Sequence, residues 1–167
     1  NVILLAAMNP CPCGNKNNPK KECVCRETDI QKYQRKISGP ILDRIDLYVE
    51  VPFLEYETLR QAPSQTETSS AVRARVSLAR ETQKTRFKNE TTISNSDMNT
   101  KQLKRFTVIS PESDEVMKKA VTRFALSARS CTRILKVART IADLAGSKHI
   151  ATDHISEALQ YRPQFEM

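Results

Sequence analysis

The chain has 167 residues, 39% of them apolar and 28% charged, with a net charge of +8. That is the composition of a soluble globular protein with one good-sized domain or two small ones. It excludes a bilayer span, because no apolar run approaches about 20 residues. With no Trp and few other aromatics, it also argues against a base-stacking platform for single strands. The basic excess makes a polyanion, nucleotide phosphate or nucleic acid, the first partner to consider. The apolar start lacks the basic front of a signal peptide, so a cytoplasmic protein with no membrane role is expected.

Val2 to Ala7 is a continuous apolar run. It reads as a strand buried on both faces of a parallel sheet, ended by Pro10. A chain that begins inside such a strand points to a piece of a longer protein. Asn9 then falls at the carboxyl end of the strand, the edge where open α/β sheets bind ligands. The other reading is a turn-forming Asn before a Pro.

Cys11, Cys13, Cys23 and Cys25 form two close pairs across a short basic loop. Two such pairs suit tetrahedral thiolate coordination of a structural zinc ion, although C-x-C is a less usual spacing than C-x-x-C. Reduced, unconnected thiols are the alternative, and a cytosolic setting disfavours disulfides. Four thiolates leave no open coordination position, so no chemistry is expected at the metal.

A helix is expected over Glu27 to Ile37. The stretch Ile37–Val51 then carries a Gly-Pro break and Arg44 between two Asp. A strand follows in which Leu47, Val49 and Val51 alternate with Tyr48 and Glu50. Arg44 at the rim of a sheet has the geometry to give a cation to a phosphate on a neighbouring molecule. The spacing alone favours the other reading, a loop arginine paired with Asp43 or Asp46. A turn is expected over Phe53 to Leu59, and the Ser/Thr-rich residues 61–70 read as a linker.

The remainder, 71–163, reads as all-helical. Ala71 to Lys88 has an apolar side (Val72, Val76, Ala79, Phe87) and a basic stripe (Arg73, Arg80, Lys84, Lys88), a solvated face or the wall of a nucleic-acid channel. Thr100 to Phe106 is a short helix. Ser110 and Pro111 start another, with Val116, Ala120, Val121 and Phe124 inward. Ser127 to Ala145 is the clearest helix, with a Ser cap, a Gly146 stop and one broad apolar stripe that includes Cys131. Arg129 stands in its first turn, where the helix dipole mildly disfavours a cation. It is either a solvent residue or one kept for a phosphate. A last short helix starts at Thr152, with His149 and His154 as surface residues.

These blocks together resemble one family. A-A-M-N-P-C-P-C-G, Y-Q-x-K-I-S-G-P-I-L-D-R-I-D-L, L-S-A-R, R-I-L-K-V-A-R-T-I-A-D-L-A-G and I-S-E-A-L-Q-Y-R are similar to the carboxyl-terminal half of the magnesium-chelatase-like AAA+ ATPases, nearest the ComM/YifB branch. The resemblance implies an α/β remnant of an AAA+ core (1–60, with the four-Cys loop at 11–25), the linker, and an all-α lid (71–163). It implies a ring, usually a hexamer, with ATP and Mg²⁺ at subunit boundaries. By the same resemblance Asn9 is the sensor-1 group, Arg44 the arginine finger and Arg129 the sensor-2 residue, with Arg133 the fallback at the nucleotide. The implied activity is ATP-driven DNA remodelling of the branch-migration type. Two alternatives stay open: an ATPase subunit for Mg²⁺ insertion into a porphyrin, and a zinc-stabilised basic nucleic-acid-binding module.

One departure is large. Gly14, Gly39 and Gly146 are the only glycines, and none lies in a G-x-x-x-x-G-K-[ST] loop. No acidic strand end for Mg²⁺ is present either. The 167 residues alone are therefore expected neither to bind ATP tightly nor to hydrolyse it.

Overall fold

The computed structural model describes residues 3–56 and 67–162. The chain divides into two compact units, Asn1–Arg44 with Glu50–Gln61, and Ile45–Val49 with Ala62–Met167.

In the first unit the helices are α1 (Glu27–Gln34) and the single turn α2 (Gly39–Leu42). Glu27 and Asp29 sit in the first turn of α1, where acidic groups meet the helix dipole favourably. Ile30 is buried, and with Cys11 it makes up the apolar interior of this unit. The strand expected over 2–7 is not formed among the described residues. Ile3, Leu4 and Leu5 are 96, 76 and 95% exposed, and no ladder pairs them. The strand expected over 47–51 is likewise absent, with Leu47, Val49 and Val51 all exposed. Alternation specifies which face a strand would bury, but a strand also needs a neighbour to satisfy its backbone. The described residues supply none. Their sole bridge is the isolated parallel pair Ile109–Ile150. The α/β character of this half is thus not seen here. Residues 57–59 of the expected turn and 61–66 of the expected linker lie outside the described residues; the last two linker positions, Ser69 and Ser70, are already helical.

The second unit is helical: α3 (Ser69–Arg86), α4 (Thr100–Phe106), α5 (Pro111–Phe124), α6 (Ala128–Leu144) and α7 (Thr152–Gln160), with a 3₁₀ turn at Asn95–Asp97. Local chemistry sets the boundaries. Thr68, Ser110 and Ser127 each accept a bond from the backbone N–H three residues on, at 3.2, 3.2 and 3.1 Å, satisfying an orphan donor of the first turn. At the far end of α6, Gly146 takes φ +66°. The N–H groups of Ser147 and Gly146 then close on Ala142 O and Asp143 O at 2.8 and 3.1 Å, a Schellman stop.

Helix α6 is the axis of this unit. Its stripe of Ile134, Ala138 and Ala142 is at most 1% exposed and packs with Met117, Ile150, Ile155 and Ala158. Cys131 lies against the same cluster. The small alanines let α7 approach closely, and the apolar area removed from water drives the assembly. The apolar side of α3 is only partly used: Ala79 and Phe87 are buried, while Val72 and Val76 are exposed. No helix among the described residues is long and apolar enough to cross a membrane.

Candidate functional site

Two sites emerge, one in each unit. In the first unit the backbone folds the cysteine loop into a knuckle. Gly14 N–H bonds Cys11 O at 3.0 Å and Lys16 N–H points at Cys11 Sγ at 3.3 Å. Gly14 takes φ +77°, a conformation that costs a residue with Cβ about 1–2 kcal/mol. The sulfurs of Cys11, Cys13 and Cys23 stand 3.4–3.6 Å apart, and all four thiols lie within 4.8 Å of one another. A tetrahedral tetrathiolate with Zn–S near 2.3 Å has edges of about 3.8 Å, so the four residues fit a metal ion of that kind. Cys11 is fully buried and the others half-buried.

The electrostatics point the same way. The backbone N–H of Asn15 and the neighbouring thiols outweigh desolvation and hold Cys13 down to about 6. The backbone N–H of Cys13 works to lower Cys25, but desolvation, the Cys13 and Cys23 thiols and the charge on Cys13 push it up to about 12. Cys23 is raised by a similar balance. One sulfur ionises easily and thereby resists ionisation of the rest. A bound cation removes that conflict, because the thiolate is the metal-binding form.

Asn9 and Arg44 belong to this unit as well. Asn9 is exposed and does not end a strand; its amide packs beside Gly14, 3.5 Å from where a Cβ there would stand. Arg44 is exposed just after α2, not at a sheet rim, and donates to Pro40 O at 2.8 Å.

The second site is a cleft of ≈ 430 Å³ on the first half of α6, lined by Arg129, Thr132, Arg133, Lys136, Ser96 and Asp46. Residues 129, 133 and 136 recur at helical spacing, so one face of α6 presents three cations. Arg129 is exposed and has no hydrogen-bond or ion-pair partner among the described residues. Arg133 pairs with Asp46, and Lys136 donates to Ser96 O at 2.7 Å. Burial and then the Arg133 charge depress Lys136, against the opposing pull of Asp46 and Asp97. Asp46 is held by segment 45–49, which is fastened to the helical unit. Tyr48 N–H bonds Tyr161 O at 2.9 Å, and Arg162 bridges Ile45 O and Ser130 Oγ, each at 3.1 Å.

Sequence reasoning did not find the buried charges of the same unit. Asp143 has a fully buried side chain and accepts from Arg86, from Asn95 Nδ2 at 2.9 Å and from Arg139 Nε at 3.1 Å. Arg139 also donates to Ser147 O and Lys148 O at 2.6 and 3.0 Å, covering the carbonyl end of α6. The i,i+4 spacing of Arg139 and Asp143 was a readable signal. These arginines border a cleft of ≈ 650 Å³ with Arg105 and Lys148. It opens at the C-terminal ends of α3, α4 and α6, whose carbonyl dipoles offset those cations. The structural role of the arginines is enough to account for them.

Comparison with known proteins divides the chain in two as well, with segment 45–49 falling in the first family rather than with the helical unit. Residues 1–59 match the family described as magnesium chelatase, subunit ChlI, and residues 66–162 match its C-terminal family, magnesium chelatase, subunit ChlI C-terminal. The chain belongs to the magnesium chelatase ChlI family. It is similar to the competence protein ComM of Haemophilus influenzae, with 38% identity over 159 residues, and to the uncharacterized YifB proteins of Salmonella typhimurium and Escherichia coli at 35%. Each match covers 95% of this chain but 30% of the relative, so the chain spans under a third of those proteins.

Proposed function

We propose that this chain is the nucleotide-sensing and lid portion of a ring-forming AAA+-type ATPase of the ComM kind that remodels DNA. The carrying observation is the α6 cleft. Arg129 stands there without a partner among the described residues, beside Arg133 and Lys136, on the helix whose sequence carries the family resemblance. Three cations on one face, with a single carboxylate opposite, suit the phosphates of a nucleotide. In this reading Arg129 binds the nucleotide and Arg133 assists it. Arg44 is the cation given to the ATP of a neighbouring subunit in a ring, a hexamer by resemblance. It would exchange its single bond to Pro40 O for phosphate oxygens. Asn9 orients the attacking water. Phosphoryl transfer needs positioning and charge stabilisation above all, which these groups supply. ATP and Mg²⁺ would be held mainly by residues outside this chain.

Cys11, Cys13, Cys23 and Cys25 hold a structural zinc ion in this reading. With four protein ligands it would fix the loop and take no part in hydrolysis. DNA is the proposed polyanion, and exposed Arg73, Arg80 and Lys84 on α3, with Lys88 in the turn beyond its end, are the basic face available to it. The family description favours a second reading, an ATPase subunit for Mg²⁺ insertion into a porphyrin. The four-cysteine loop and the D-R-I-D-L stretch fit the ComM branch better.

The test is ATP hydrolysis by the chain joined to the remainder of its own protein, with and without DNA. DNA-stimulated turnover that falls about 10³–10⁵-fold in Arg44→Ala is the expected result. Stimulation by a porphyrin-binding partner but not by DNA would transfer the proposal to the second reading. Tight DNA binding by these residues alone, with no gain from the remainder, would favour a zinc-stabilised binding module.

A further inference from the structure

We infer that Asp46 is an internal stand-in for the anion of the α6 cleft, and that a phosphate ligand displaces it and releases segment 45–49. The inference rests on reading that cleft as a phosphate site, and it adds how the site is regulated.

The observations lie within the helical unit. Among the described residues Asp46 is the only carboxylate lining a cleft that otherwise presents Arg129, Arg133 and Lys136, with Asp97 near enough to act on Lys136. It pairs with Arg133, the central one of the three cations along α6. The pair is easily exchanged, because the Asp46 side chain is 54% exposed and that of Arg133 24%. Ion pairs that open to water are weak. Arg133 retains a buried Nε with no partner, so the carboxylate leaves donor capacity unused. A phosphate chain carries more charge and more acceptor oxygens, and it reaches Arg129 and Lys136 at the same time.

Displacement has a structural result. Segment 45–49 is fastened by the Asp46–Arg133 pair, the Tyr48–Tyr161 backbone bond and the Arg162 bond to Ile45 O. Losing the first loosens the segment, and Arg44 is joined directly to it through Ile45. Occupancy of the lid cleft is thereby communicated along the chain to the finger residue. Asp46 acts here as a positioning residue through Arg133 and touches no reacting atom.

Inorganic tripolyphosphate is the probe, titrated into the 167-residue chain by calorimetry, with amide hydrogen exchange followed at Tyr48. Wild type is expected to bind and to lose Tyr48 protection on saturation. Asp46→Asn should bind about fivefold tighter, the factor set by a weak ion pair, and should show fast Tyr48 exchange before any ligand is added. Asp46→Glu should restore wild-type behaviour. If tripolyphosphate binds, and binding is lost in Arg129→Ala, while Asp46→Asn binds no tighter or Tyr48 stays protected, the stand-in role is overturned and the phosphate cleft survives. If neither wild type nor Asp46→Asn binds, both fail together.

Discussion

The two units hold their shape by opposite means. The helical unit has a continuous apolar interior along α6, closed by α5 and α7, and it also sets one buried and one half-buried arginine on a buried carboxylate. The cysteine unit buries Ile30 and Cys11 and leaves Ile3, Leu4, Leu5, Val51 and Phe53 exposed. A segment with so little interior cannot offset its ordering entropy by burial alone. The proposed zinc ion would add a cross-link through four convergent thiols. One half is held by exclusion of water; the other, in this proposal, by coordination chemistry.

Removing the proposed zinc ion should separate the halves most sharply. Structural zinc contributes on the order of 10–16 kcal/mol of apparent folding free energy in small domains. Chelation, or Cys23→Ser, is therefore expected to abolish hydrogen-exchange protection at Gly14 and Lys16 while the amides of α6 remain protected. Equal loss in both units would break the contrast. Full metal content and unchanged protection in Cys23→Ser would remove the basis for a zinc loop.

The next largest effect belongs to the helical unit. Asp143→Ala leaves buried Arg139 and half-buried Arg86 without their shared carboxylate, an arrangement that typically costs about 3–5 kcal/mol. Denaturant unfolding monitored on the helices should show that loss, with metal binding in the other unit unaffected. A change below about 1 kcal/mol would mean that the charges are hydrated and add little to the core.

The smallest effect sharpens the same picture with opposite sign. Ala125 ends α5 at φ +47°, a left-handed conformation more natural to glycine, while Leu126 N–H closes on Val121 O at 3.2 Å. Ala125→Gly should raise the stability of the helical unit by about 0.5–1 kcal/mol, read as a higher denaturation midpoint. A fall would show that backbone entropy of the unfolded chain outweighs the relief.

The contrast also explains what the sequence made legible. Caps and stops are local chemistry, so Ser110, Pro111, Ser127 and Gly146 marked α5 and α6 to within a residue or two. The four cysteines were legible for the same reason, since Cys11 and Cys23 stand only twelve positions apart. The strands read over 2–7 and 47–51 are not formed among the described residues, because alternation and apolar runs describe faces and say nothing about available neighbours. The Arg133–Asp46 pair joins positions 87 apart, and Arg86–Asp143 joins positions 57 apart. No periodicity carries such pairings. The apolar-stripe reading assigns every charge to solvent, which is where it failed for Arg86, Arg139 and Asp143.

The close packing of Asn9 against Gly14 has a consequence for any catalytic role of that amide. Its position is inherited from the knuckle, because the left-handed turn at Gly14 sets the surface on which it rests. Oxidants that join the thiols, or loss of a metal ion from them, would then shift that amide through the loop alone. If Asn9 orients water as proposed, metal supply would register as turnover rate before it registered as unfolding.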